Sequence, residues 1–126
     1  MVALVNSRDQ YHQKALELSE VYEGHPLLVT DGILLEIGNA LARNFKAQSI
    51  ESINGFQASD EIDIVTITPA LFQQGFELYK SHTDKTWGLV DWISFAVMRE
   101  AGVESALTFD QHFVQAGFRA LMREET

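Results

Sequence analysis

Residues 89–110 read LVDWISFAVMREAGVESALTFD. Leu89, Val90, Ile93, Ala96 and Val97 recur at helical spacing, and Gly102 stands where such a helix stops. The remainder, VESALTFD, is short and mostly apolar, and reads as a strand running into a loop. Asp91 lies in a run of ten, 89–98, otherwise apolar apart from Ser94. With Gly88 as N-cap it falls near the third helical position. There the free N–H groups and the helix dipole favour a negative side chain by about 0.3–1 kcal/mol. Ser94, three residues on, shares its stripe, so both are expected at the edge of the buried face. Asp110 closes the strand and opens DQHF, where an aspartate also serves as a helix cap.

The rest of the chain alternates helix and short strand. NSRDQYHQKALELSEVYEG (6–24) has Ser7 three residues before Gln10, the spacing of a capping box, and ends on Gly24. HPLLVT (25–30) and IDIVTI (62–67) read as strands. TDGILLEIGNALARNFKAQ (30–48) reads as a helix capped by Thr30 or Asp31, with Ile33, Leu34, Ile37, Leu41 and Phe45 on its apolar face. SIESINGF (49–56) reads as a shorter helix. Thr68 and Pro69 open another at N-cap and first position, TDKTWG (83–88) is a loop, and QHFVQAGFRALM (111–122) closes the chain. Apolar strands separated by helices predict a short parallel sheet flanked by helices, a three-layer α/β/α domain spanning 1–126. Ligands of such sheets bind beyond the carboxyl ends of the strands, where Thr30, Asp31 and Asp110 fall.

Composition narrows the chemistry. The chain has 126 residues, a net charge of −9 and no cysteine, so disulfides, thiolate metal sites and cysteine nucleophiles are excluded. No stretch approaches the roughly 20 apolar residues of a membrane helix, and MVALVNSRD lacks the basic start of a signal peptide, so a cytoplasmic location is expected. The acidic balance argues against a non-specific nucleic-acid coat. An enzyme that meets nucleic acid through bound metal and a few local cations remains compatible with it. His12, His25, His82 and His112 show no helical pairing suited to zinc, and surface or packing roles are expected. No Gly-rich phosphate loop and no Gly-x-Ser-x-Gly elbow occurs, and Trp87 and Trp92 read as core or interface.

Glu36 lies among apolar neighbours at 33, 34, 37 and 41, and Asn39 and Arg43 continue its helical stripe. Alone, that stripe is equally a solvated helix edge. Together, Glu36, Asp91 and Asp110 are expected near one edge of the sheet, each on a separate element. Three carboxylates gathered within a few ångströms repel one another, and a divalent cation removes that penalty. Oxygen-only ligands point to Mg²⁺ or Mn²⁺, which suit phosphoryl chemistry.

At this point the chain resembles a PIN domain, the small metal-dependent nuclease fold that includes the VapC-type toxins of toxin–antitoxin pairs. The resemblance rests on RDQYHQKALEL, LVTDGILLEIGNALAR, DKTWGLVDWISFAVMREAGVESALTFDQHF and AGFRAL, and covers residues 5 to 121. It implies that Glu36, Asp91 and Asp110 hold Mg²⁺, and that a metal-activated water attacks an RNA phosphodiester. Ser94 and Thr108 become supporting hydroxyls, and Asp84, Asn39 and Arg43 substrate contacts at the rim. It also implies a homodimer and a small basic-tailed antitoxin as partner.

The chain departs from the family at its start. A PIN domain opens with a hydrophobic strand ending in Asp-Thr, whereas this chain begins MVALVNSRDQYHQ, and VALVN resembles the segment after that motif. The first strand and its acid are therefore expected to be missing. The central slot is then left to a local rearrangement, a partner chain, an exchanged strand, or residues preceding Met1 in a longer form. With three acids instead of four, metal is expected to bind more weakly and cleavage to be impaired. The competing expectation is a degenerate PIN module that binds RNA or a partner without cutting.

Overall fold

The computed structural model describes residues 2–4, 26–107 and 111–120. In chain order these form β1 (Val2–Leu4), β2 (Leu27–Thr30), α1 (Asp31–Leu41), α2 (Lys46–Ala58), β3 (Ile62–Val65), α3 (Pro69–Ser81), α4 (Leu89–Ala101), β4 (Ser105–Leu107), α5 (Gln111–Gln115) and β5 (Arg119–Ala120). The sheet runs β3-β2-β1-β4-β5, and every neighbouring pair is parallel. The helix expected over 6–24 lies outside the described residues.

Alternation along β2 sorts the core into two layers. Leu27 and Val29 pack with Ile33, Leu34, Ile37 and Leu41 of α1 and Phe56 of α2. Leu28 faces the other way, toward Leu71 of α3 and Trp92, Ile93, Phe95, Val97 and Met98 of α4. The sheet is thus covered on both faces, as the unbroken apolar strands predict.

The expectation that the first strand is missing is corrected by β1. Val2–Leu4 takes the central position itself, pairing with Leu27 and Leu28 on one side and with Ser105, Ala106 and Leu107 on the other. The physical reason is backbone hydrogen bonding. An empty slot would leave N–H and C=O groups of two strands unpaired, at about 1–3 kcal/mol for each buried group. The Asp-Thr motif is still absent, since Val5, Asn6 and Ser7 come next in the sequence.

A second correction concerns the stripe through Phe45. α1 stops at Leu41, and Phe45 leaves helical geometry at φ −135°, ψ 38°, with half of its surface exposed. α2 then starts afresh at Lys46 and runs to Ala58, beyond both ends of the expected short helix. In α4, Leu89, Val90 and Ala96 are only partly buried, while Trp92, Ser94, Phe95 and Met98 are buried. The helix sinks deeper than its aliphatic stripe predicts because aromatic rings close over it. Trp87 lies 5.0 Å from Trp92, and Phe113 lies 4.7 Å from Phe95. Gly75 lets α3 approach α4 closely. A Cβ there would run into the Ile93 side chain and come within 3.1 Å of its backbone.

Candidate metal centre

The start of α1 is braced from both sides. Ile33 N–H donates to Thr30 Oγ1 at 3.4 Å, and Ile67 N–H donates to Asp31 Oδ1 at 3.0 Å. The second bond ties α1 to the segment after β3, so the Asp31 carboxylate acts as a structural brace. Gly32 sits at this junction, where a Cβ would lie 2.8 Å from Ile67 Cδ1 and 3.8 Å from Val90 Cγ1. The beginnings of α1 and α4 therefore meet beyond the carboxyl ends of β2 and β3.

Two of the three candidate acids flank this meeting point. Glu36 is four residues beyond Gly32, one turn further along the same face of α1. Asp91 follows Val90 directly, in the first turn of α4. Both are half-buried, and neither is without a partner. Asp91 occupies the third helical position after Gly88, which has no side-chain cap, so free N–H groups lie around the carboxylate. Asp110 and Thr108 lie outside the described residues, between the end of β4 at Leu107 and the start of α5 at Gln111.

The remaining candidates divide. Asn39 is exposed on α1. Arg43 is not on a continuous stripe with Glu36 but in the turn 42–44 past the end of α1, exposed. Asp84 is exposed in the loop before α4, 3.9 Å from the Lys85 ammonium. Ser94, expected at an edge, is 2% exposed, and its Oγ has no hydrogen-bond partner among the described residues. The aromatic cover over α4, not visible in the helix's own periodicity, accounts for that burial.

Among the described residues no group of three or more His, Asp or Glu side chains is arranged to hold a metal ion. Those residues contribute Glu36 and Asp91, with Ser94 one turn from Asp91. This oxygen-only set fits a hard divalent cation, and a buried hydroxyl with no partner fits a supporting role beside such an ion. His82 and His112 are engaged elsewhere, stacked on Trp92 at 4.7 Å and on Trp87 at 5.0 Å. Gly32 was missed by sequence reasoning; the Asp-Gly pair opening α1 was the available signal.

No protein-family model matches the chain. It is similar to the 23S rRNA-specific endonuclease VapC20 of Mycobacterium tuberculosis, in strains CDC 1551 / Oshkosh and ATCC 25618 / H37Rv. The two are 29% identical over 118 residues, covering 92% of this chain and 88% of the relative. The crystal structure of M. tuberculosis VapC20, a sarcin–ricin loop cleaving toxin, superposes with a TM-score of 0.76 at 25% identity. That match covers 93% of this chain and 95% of the other. The chain is a homologue of VapC20 and has its PIN fold. A match over 92% of 126 residues leaves too little at either end to exclude Glu36, Asp91 or Asp110, so all three fall inside the homology to VapC20.

Proposed function

We propose that the chain is a metal-dependent endoribonuclease of the PIN/VapC kind, hydrolysing RNA phosphodiester bonds. The observation that carries this reading is the homology to an endonuclease along nearly the whole chain, with Glu36 and Asp91 flanking one junction beyond the strand ends. Glu36, Asp91 and Asp110 are the residues that would hold Mg²⁺ or Mn²⁺. When bound, such an ion lowers the pKa of a water and offsets charge on a phosphate. Asp91 stands in the first turn of α4, where the helix's free N–H groups favour a negative side chain. Ser94 supports it from within the core. Asn39 and Arg43 supply rim contacts to RNA. By the likeness to VapC20, a structured ribosomal RNA loop is the substrate class. The assembly is read as a homodimer, with a basic-tailed antitoxin as protein partner and the cytoplasm as its location.

The test is cleavage of a labelled RNA hairpin carrying the sarcin–ricin loop, with Mg²⁺ or Mn²⁺. Asp91→Asn and Glu36→Gln are expected to lower the rate by more than the roughly 10–100-fold typical of residues behind the ligands. Both should melt close to wild type. Undiminished cleavage by Asp91→Asn would sink the assignment.

One observation favours the competing reading of a non-cleaving module. β1 holds the central slot, yet the residues after it are Val5, Asn6 and Ser7 rather than an acid. Calorimetric titration with Mn²⁺ separates the two: a module without catalysis shows no saturable binding, and Asp91→Asn changes nothing. Under the nuclease reading, Asn6→Asp should tighten Mn²⁺ binding and raise cleavage. A gain only from adding a strand ending in Asp-Thr ahead of Met1 would instead mark Val2–Leu4 as a stand-in.

A further inference from the structure

A chain with nine lysines and arginines against eighteen acids has few places where phosphate is welcome. One lies between the end of α3 and the start of α4, a cavity of about 340 Å³ whose lining, among the described residues, contains no carboxylate. Its walls include Tyr79, Lys80, Thr83, Lys85, Thr86 and Trp87. We propose that this cavity is an RNA subsite, taking a backbone phosphate on Lys80 and Lys85 and an unpaired base on Tyr79. The proposal rests on the ribonuclease reading and extends it to where the RNA lies.

The two cations are held but not consumed. Lys80 Nζ lies 4.8 Å from the Phe76 ring centroid and Lys85 Nζ 5.1 Å from that of Trp87, which orders their stems. Their acidic neighbours are Glu77 at 2.9 Å and Asp84 at 3.9 Å. These are exposed pairs that water and salt screen, so a phosphate displaces them readily. Tyr79 keeps 46% of its surface exposed, which leaves a ring available for stacking.

The cavity is built onto the elements that carry the acids. Its wall residue Trp87 stands four positions before Asp91 and stacks on His112, two positions past Asp110. Another lining residue, His82, donates Nδ1–H to the Leu78 carbonyl at 2.8 Å and stacks on Trp92, next to Asp91. A nucleotide in the cavity would therefore lie beside the start of α4, in reach of an RNA loop whose neighbouring phosphate occupies the acidic centre. Lone lysines on an acidic surface would be screened and unspecific. Two lysines, two hydroxyls and an open ring around one hollow match one nucleotide.

The experiment measures equilibrium binding of a labelled hairpin RNA to the full chain in EDTA, by fluorescence anisotropy across a salt series. Lys80→Ala/Lys85→Ala should weaken binding about five-fold or more and lower the salt slope by roughly 0.7, the value for one phosphate contact on unpaired RNA. Tyr79→Ala should weaken it by a further several-fold while Tyr79→Phe binds like wild type, because stacking needs only the ring. Lys46→Ala, on the opposite face of the sheet, controls for net charge, and circular dichroism melts control for folding. A double variant within about two-fold of wild type with an unchanged salt slope, or one no weaker than Lys46→Ala, overturns the subsite. Cleavage by wild type is assayed in parallel. RNA held through the cavity but never cut would sink the nuclease reading and keep the subsite. RNA cut normally with binding untouched by the double variant would do the reverse.

Discussion

The helices carrying Glu36 and Asp91 are positioned by different means. The start of α1 is set by two polar bonds, a local one in which Thr30 caps its first turn and a tertiary one in which Asp31 anchors it to Ile67. The start of α4 has no side-chain cap, and Gly88 supplies only backbone. That helix is held instead by aromatic packing, with Phe95 against Trp87, Trp92, Phe113 and Phe118 at 4.7–5.7 Å. The helix of one acid is thus held by hydrogen bonds, of which a reader of the sequence can anticipate the Thr30 cap. The helix of the other is held by rings brought from residues 87, 113 and 118. An acid placed by packing should fail when the core fails, and one placed by caps should tolerate the loss of a single bond.

The sharpest way to break this contrast is Phe95→Ala. It removes the fully buried centre of the aromatic group and should cost about 3–5 kcal/mol in urea unfolding, with metal-dependent cleavage falling alongside. A loss below about 1 kcal/mol would show that α4 is held by something other than its rings. Next is Gly75→Ala, whose added methyl meets the backbone of Ile93 and must push α3 from α4, at about 1–3 kcal/mol. The smallest effect is expected for Thr30→Ala, about 1 kcal/mol in the same assay, since its 3.4 Å bond to Ile33 N–H is long and Asp31 still anchors the helix. A Thr30→Ala loss matching that of Phe95→Ala would erase the distinction.

Individual elements show where reading the chain succeeds. Thr68 and Pro69 open α3, and Gly102 ends α4 in a left-handed conformation at φ 70°, because caps and breakers act within one turn. Failures share a non-local cause. The break at Phe45 interrupts a periodicity that looked continuous. The burial of Ser94 depends on rings remote in sequence, and the central place of Val2–Leu4 depends on ladders with β2 and β4. Lys80 and Lys85 carry no signal in the sequence pattern, and one cavity gathers them.

The alternation of helix and short strand, the parallel sheet and the carboxylate chemistry of Glu36, Asp91 and Asp110 follow from the amino-acid order alone, since hydrophobic period and side-chain chemistry are local properties. Tertiary structure alone decided that the start of α1 meets the start of α4 at Gly32, that a serine beside an acid is sealed in the core, and that two lysines share a hollow. The first of those relations joins residues tens of positions apart, the two lysines stand five apart across a helix end, and close packing, which fills space without regard to chain order, sets them all.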